Sequence, residues 1–294
     1  MNEPRPRDVS QVMSPVVPSS FDSIWELPVR KLVHLTLSAL LIGSLGCSSS
    51  KKNTKKEQAT AREPAEQQTS AQELFIQANE QLDKRNFEKA IQLYEKALDR
   101  DPERTDIYVN LAIALSKDRK FEEAVTAVQD AIAHGGKQDP TVYYTLGNIY
   151  QEHANYSDAI RAYRTSLAHR EGTHLDTLVN IASSLMLMKE LDKAQKAYEH
   201  IRQTAPDDPR PYIGLGLIHH SKKNHEKALD LYDQALRVDS EHPQAWYNRG
   251  DLLSDMERNQ EATKSFRRYL EFAPDGQYTS QAKTRLERLK KGID

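Results

Sequence analysis

"NFEKAIQLYEKALDRDP", Asn86 to Pro102, decides the fold. Phe87, Ala90, Ile91, Tyr94, Ala97 and Leu98 recur at steps of three and four, the period of one face of an α-helix, while charged residues dominate the other face. The stretch returns along the chain as "KFEEAVTAVQDAIAHGG" (Lys120–Gly136), "NYSDAIRAYRTSLAHRE" (Asn155–Glu171), "ELDKAQKAYEHIRQTAP" (Glu190–Pro206), "NHEKALDLYDQALRVDS" (Asn224–Ser240) and "NQEATKSFRRYLEFAP" (Asn259–Pro274). Repeats start at Ala71, Thr105, Pro140, Leu175, Pro209 and Pro243, 34 or 35 residues apart. A fixed period of that length marks stacked structural units. Each unit reads as two amphipathic helices of about 12–14 residues joined by a short Asn/Lys/Asp turn. One such pair cannot bury its apolar faces alone, whereas a stack of pairs builds a continuous core.

Counted from each start, position 20 is alanine in all six copies: Ala90, Ala124, Ala159, Ala194, Ala228 and Ala262. Position 8 is small as well, being Ala78, Ala112, Gly147, Ala182, Gly216 and Gly250. Position 24 is a large filler, Tyr94, Val128, Tyr163, Tyr198, Tyr232 and Phe266. This pattern resembles the tetratricopeptide repeat, over residues 71 to about 276. The resemblance implies an all-α, right-handed superhelix, an α-solenoid of helix-turn-helix repeats at 71–104, 105–139, 140–174, 175–208, 209–242 and 243–276. A capping helix at 277–291 follows, where Ala282, Leu286 and Leu289 would cover the open apolar face of repeat six.

Enzyme signatures are not found. "AHGGKQ" (Ala133–Gln138) lacks the full phosphate-loop spacing and falls in a turn between repeats. His219, His220 and His225 share one repeat without metalloprotease spacing, and His219 falls at a core position. No nucleophile elbow is present. The net charge of −2 argues against a partner recognised by phosphate neutralisation. No catalytic residue, metal, cofactor, nucleic acid or small-molecule substrate is expected.

A binding surface is expected instead. In the family that the repeats resemble, first-helix positions 2, 5, 6, 9, 12 and 13 line a concave groove. By that resemblance the groove residues are Phe75, Asn79, Val109, Asn110, Tyr144, Asn148, Val179, Asn180, Arg210, Ile213, Tyr247 and Asn248. Asparagine amides both donate and accept, so they can pair with the main chain of an extended peptide whatever its sequence. The aromatic residues would supply anchors. The carboxylate clamp of the chaperone-binding members is not matched. Asn79 and Asn110 fit it, but Phe75, Thr141 and Thr145 stand where its cations belong, and Arg210 beside Asn148 and Asn180 is a single-cation echo.

The amino-terminal part reads differently. Residues 1–28 are Pro/Ser-rich and read as a disordered leader ahead of an alternative start at Val29. Arg30 and Lys31 precede the apolar run Leu32–Leu45, which is too short to cross a bilayer and suits a signal-peptide core, 29–46. "SLGC", Ser44 to Cys47, resembles the bacterial lipobox, with Ser44 in place of the usual aliphatic residue. That resemblance implies lipidation of Cys47, the only cysteine, and a membrane anchor through the lipid. Residues 47–70 read as lipidated cysteine and flexible linker, with a reach of roughly 25–30 Å. No Asp follows Cys47, which by the same resemblance implies the periplasmic side of the outer membrane. A six-repeat lipoprotein also resembles the pilotins of type IV pili, which help secretins assemble. The expected function is a membrane-anchored scaffold in the bacterial envelope that binds a protein or peptide segment in its groove.

Overall fold

The computed structural model describes residues 69–291, which form thirteen α-helices and no strand. Cys47 and the Leu32–Leu45 run lie outside the described residues. The helices pair as α1 (Ala71–Asp83) with α2 (Phe87–Leu98), α3 (Thr105–Lys117) with α4 (Phe121–Ala133), and α5 (Pro140–Glu152) with α6 (Tyr156–Ala168). Next come α7 (Leu175–Leu187) with α8 (Leu191–Thr204), α9 (Arg210–Ser221) with α10 (His225–Val238), and α11 (Pro243–Asp255) with α12 (Asn259–Phe272). Helix α13 (Thr279–Lys291) closes the stack. The Gly-Gly-Lys stretch forms a short 3₁₀ turn, Gly136–Gln138, between repeats two and three.

The small residues set the packing distance within each pair. All six position-20 alanines are fully buried. At position 8 of repeats three, five and six even a methyl group would crowd the partner helix. A Cβ on Gly147 would lie 2.4 Å from the ring of Tyr163, one on Gly216 2.4 Å from Tyr232, and one on Gly250 2.9 Å from Phe266. The position-24 side chains fill the space so created: Tyr94, Val128, Tyr163, Tyr232 and Phe266 are fully buried. Each such side chain contributes roughly 1.5–3 kcal/mol through burial.

The turn inside every repeat ends its first helix in the same way. Arg85, Arg119, Ala154, Lys189, Lys223 and Glu257, all at position 15, adopt φ between 57° and 65°. In repeat one, the amide of Asn86 donates to Gln81 O and that of Arg85 to Leu82 O, the paired bonds of a Schellman cap. The same pair closes the other five first helices, as in Asn224 to His219 O with Lys223 to His220 O. None of the six residues is glycine, so each left-handed backbone costs about 1 kcal/mol that the two hydrogen bonds must offset.

Successive first helices also touch one another, α1 with α3, α3 with α5, α7 with α9, and α9 with α11. They therefore form the inner layer of the superhelix, and the second helices form the outer one. Ala282 and Leu286 of α13 are buried, and Leu289 packs with them against the Phe266 and Tyr269 cluster. Among the described residues no helix is long and apolar enough to cross a membrane.

Candidate partner-binding groove

The inner layer carries a ladder of amides and phenols. In repeat one the hydroxyl of Tyr94 donates to Asn79 Oδ1 at 2.5 Å, and Asn110 of the next repeat donates to the same oxygen at 2.9 Å. Repeats three and four reproduce the arrangement. The Tyr163 hydroxyl lies 2.8 Å from Asn148 Oδ1 and 2.6 Å from Gln151 Oε1. Asn180 donates to both Asn148 Oδ1 and the Tyr144 hydroxyl at 3.3 Å. Burial pushes the Tyr94 and Tyr163 phenols up, so they remain neutral donors. Asparagines expected to meet a peptide thus also join neighbouring repeats, while Asn79, Asn110, Asn148 and Asn180 each stay half-exposed.

The apolar row divides. Phe75 is half-buried, 6.0 Å from the Tyr94 ring and beneath the Arg104 guanidinium at 5.3 Å. Tyr144 is half-buried between Tyr163 at 5.8 Å and His174 at 5.9 Å, and Val179 is half-buried too. Three residues expected in the groove are instead buried. Val109 belongs to the main core, Ile213 packs with Ala235 and Ala245, and Asn248 is 6% exposed. Their burial corrects the reading of these positions as partner-facing. Tyr247 keeps partial exposure, but Tyr278 stacks on it at 4.3 Å. The capping segment therefore covers much of that ring.

Arg210 is not a free cation. It is bonded to Asp208 through Nε at 2.9 Å and Nη2 at 2.5 Å, and to Asp176 through Nη1 at 2.6 Å. The hydrogen bonds that Arg210 donates to Asp208 push the Arg210 pKa further up. Two side chains at positions that the resemblance already assigns to the groove stand open on the inner helices. Ile76, at position 6, and Leu187, at position 13, are each 49% exposed. Their places in the repeat were readable, but nothing in one sequence says that their neighbours leave them uncovered.

Histidines make this surface sensitive to acid. Burial lowers the pKa of His174, His219 and His242 below the ordinary histidine value of 6.5. His242, at the start of α11, has a buried Nδ1 without a hydrogen-bond partner. The folded chain holds these rings neutral, whereas the unfolded chain protonates them near 6.5. Their contribution to stability is complete above that pH and is lost as pH falls through the depressed folded values. Thermal unfolding followed by circular dichroism should show a lower midpoint at pH 5 than at pH 7.5, with a shallower dependence in His242→Gln. Equal midpoints in the wild type would contradict the burial of these rings.

Three family models described as tetratricopeptide repeat match residues 81–149, 173–241 and 215–287. Together they span more than half of the chain, which belongs to the tetratricopeptide repeat family. Stress-induced-phosphoprotein 1 of Caenorhabditis elegans is 26% identical over 186 residues, 60% of this chain and 55% of that protein. Human protein O-mannosyl-transferase TMTC3 is 23% identical over 204 residues, 64% of this chain but 22% of its own. The chain thus spans about half or less of these curated relatives. Among solved structures, pilF of Pseudomonas aeruginosa superposes with a TM-score of 0.53 at 16% identity, over 73% of this chain and 96% of that one. The Cut9–Hcn1 structure does so with a TM-score of 0.56 at 14% identity, over 76% and 43%. These structural likenesses establish the all-α superhelix. The family is a protein-interaction fold.

Proposed function

We propose that the chain is a non-enzymatic scaffold that holds an extended segment of a partner protein along its inner face. The observation that carries this reading is the open row on the first helices. Ile76 and Leu187 expose large apolar surface there, and half-exposed Phe75, Tyr144, Asn148 and Asn180 lie along the same layer. Apolar anchors beside amides suit a peptide whose side chains enter pockets while its main chain finds hydrogen bonds.

A lipid on Cys47 tethers this scaffold to the periplasmic side of a bacterial outer membrane. What supports the anchor is the lone cysteine directly behind an apolar run and basic residues. Two or more acyl chains hold a protein stably where a single one does not. Cys47→Ala should move the protein from the outer-membrane fraction to a soluble or inner-membrane one, read by immunoblot after fractionation. Unchanged outer-membrane recovery would remove the anchor from the proposal. A narrower form is a pilotin-like factor for secretin assembly. The overlap with nearly all of the pilF structure supports a matching fold for it, and pilus or secretin genes beside this one would strengthen it.

A further inference from the structure

The geometry points to a divalent transition-metal site on the inner face of repeats five and six, built from His220, Asp251 and Asp255. Neither the histidine cluster His219, His220 and His225 nor any short motif shows it, because the carboxylates lie more than 30 residues further along. The fold brings them together. His220 sits in the last turn of α9, and Asp251 and Asp255 lie one turn apart on α11. One ligand atom from each residue falls within 4.8 Å of the other two. His220 Nε2 already stands 2.8 Å from Asp255 Oδ2.

Bonds of about 2.0–2.2 Å to an ion place tetrahedral ligand atoms about 3.4 Å apart. The His220–Asp255 pair, now at 2.8 Å, opens slightly to that spacing, and the wider pairs close by on the order of 1 Å through side-chain rotation. Imidazole plus carboxylate is the donor set of zinc, manganese, cobalt or nickel, whereas magnesium and calcium prefer all-oxygen ligands. The charge is also right. Arg285 of α13 donates to Asp251 Oδ1 at 3.0 Å, so the two carboxylates outnumber the one guanidinium that faces them. That guanidinium occupies one oxygen of Asp251 and acts as the outer hydrogen-bond partner that orients a ligating carboxylate.

The corresponding station of repeats two and three is built differently. There Lys117 pairs with Glu152, and Ser116 donates to the same carboxylate at 3.0 Å. A lysine supplies the cation in place. Between repeats five and six no lysine does so, and a second carboxylate is added. Three protein ligands leave coordination positions open toward the inner face, for water or for a side chain of whatever the groove holds.

The test is calorimetric titration of zinc chloride into the tag-free full chain, with far-UV circular dichroism as the check on folding. The expected result is saturable binding of one ion per chain. His220→Ala should weaken it at least about tenfold. Asp255→Asn should do the same while keeping a hydrogen-bonding partner for His220, and it decides the matter if His220→Ala fails to fold. His225→Ala should bind as the wild type does. No saturable binding in the wild type would overturn the site. So would unchanged affinity in Asp255→Asn and His220→Ala, or loss of binding in His225→Ala alone.

Discussion

Tyr163→Ala should lower the unfolding free energy by about 3–5 kcal/mol, the range for removing a large buried aromatic side chain. Tyr163 is fully buried at the crossing of α5 and α6. Its ring rests against the place where Gly147 has no side chain, at the edge of Tyr144. Its hydroxyl bonds Asn148 and Gln151, and Asn148 in turn holds Asn180 of the next repeat. The truncation therefore opens a cavity inside repeat three and loosens its junction with repeat four. Tyr163→Phe keeps the packing and loses only the phenol, so it should cost about 1 kcal/mol. Urea unfolding followed by circular dichroism measures both. Equal losses for the two variants would mean that the hydrogen bonds, not the packing, hold this crossing together.

Gly214→Asn should destabilise by about 1–3 kcal/mol, although asparagine is what three sister repeats carry at this place. Asn110, Asn180 and Asn248 occupy position 6 of repeats two, four and six. At Gly214 the ring of Tyr198 takes the space, and a Cβ would lie 2.4 Å from it. Tyr198 is buried, its hydroxyl bonds Ser183 at 2.8 Å, and burial pushes its pKa up to about 12. Ser183 is shorter than the asparagines at position 9 of repeats one and three, so this ring and hydroxyl meet a different neighbour from Tyr94 or Tyr163. Better helix propensity returns only a few tenths of a kcal/mol. A rise in the urea midpoint of Gly214→Asn would show that the Tyr198 ring moves aside freely.

The fold was legible because its determinants are local. Small residues at positions 8 and 20 and fillers at position 24 are read at helical spacing, and they occupy the crossings that spacing implies. The turns were legible only in part. Six residues in left-handed geometry are Arg, Lys, Ala or Glu, so no glycine marks them.

The groove was less legible, because facing inward and being open are separate properties. Ile213 shares the register of half-exposed Tyr144, yet it packs against Ala235 and Ala245. Asn248 shares the register of Asn110 and Asn180. Leu217 stands where Asn79 and Asn148 serve those two, and the Asn248 Nδ2 and the Tyr232 hydroxyl are left buried without partners. Each difference depends on a residue in the neighbouring repeat, more than 30 positions away.

The proposed partner lies along the inner layer. Photo-cross-linking in living cells from Leu187, with mass spectrometry of the adducts, tests this placement most directly. Val238, 37% exposed at the end of the outer helix α10, is the control. A discrete protein adduct is expected from Leu187 and none from Val238. Adducts from Val238 alone, or the same adducts from both positions, would contradict that placement and move the working surface to the outer helices.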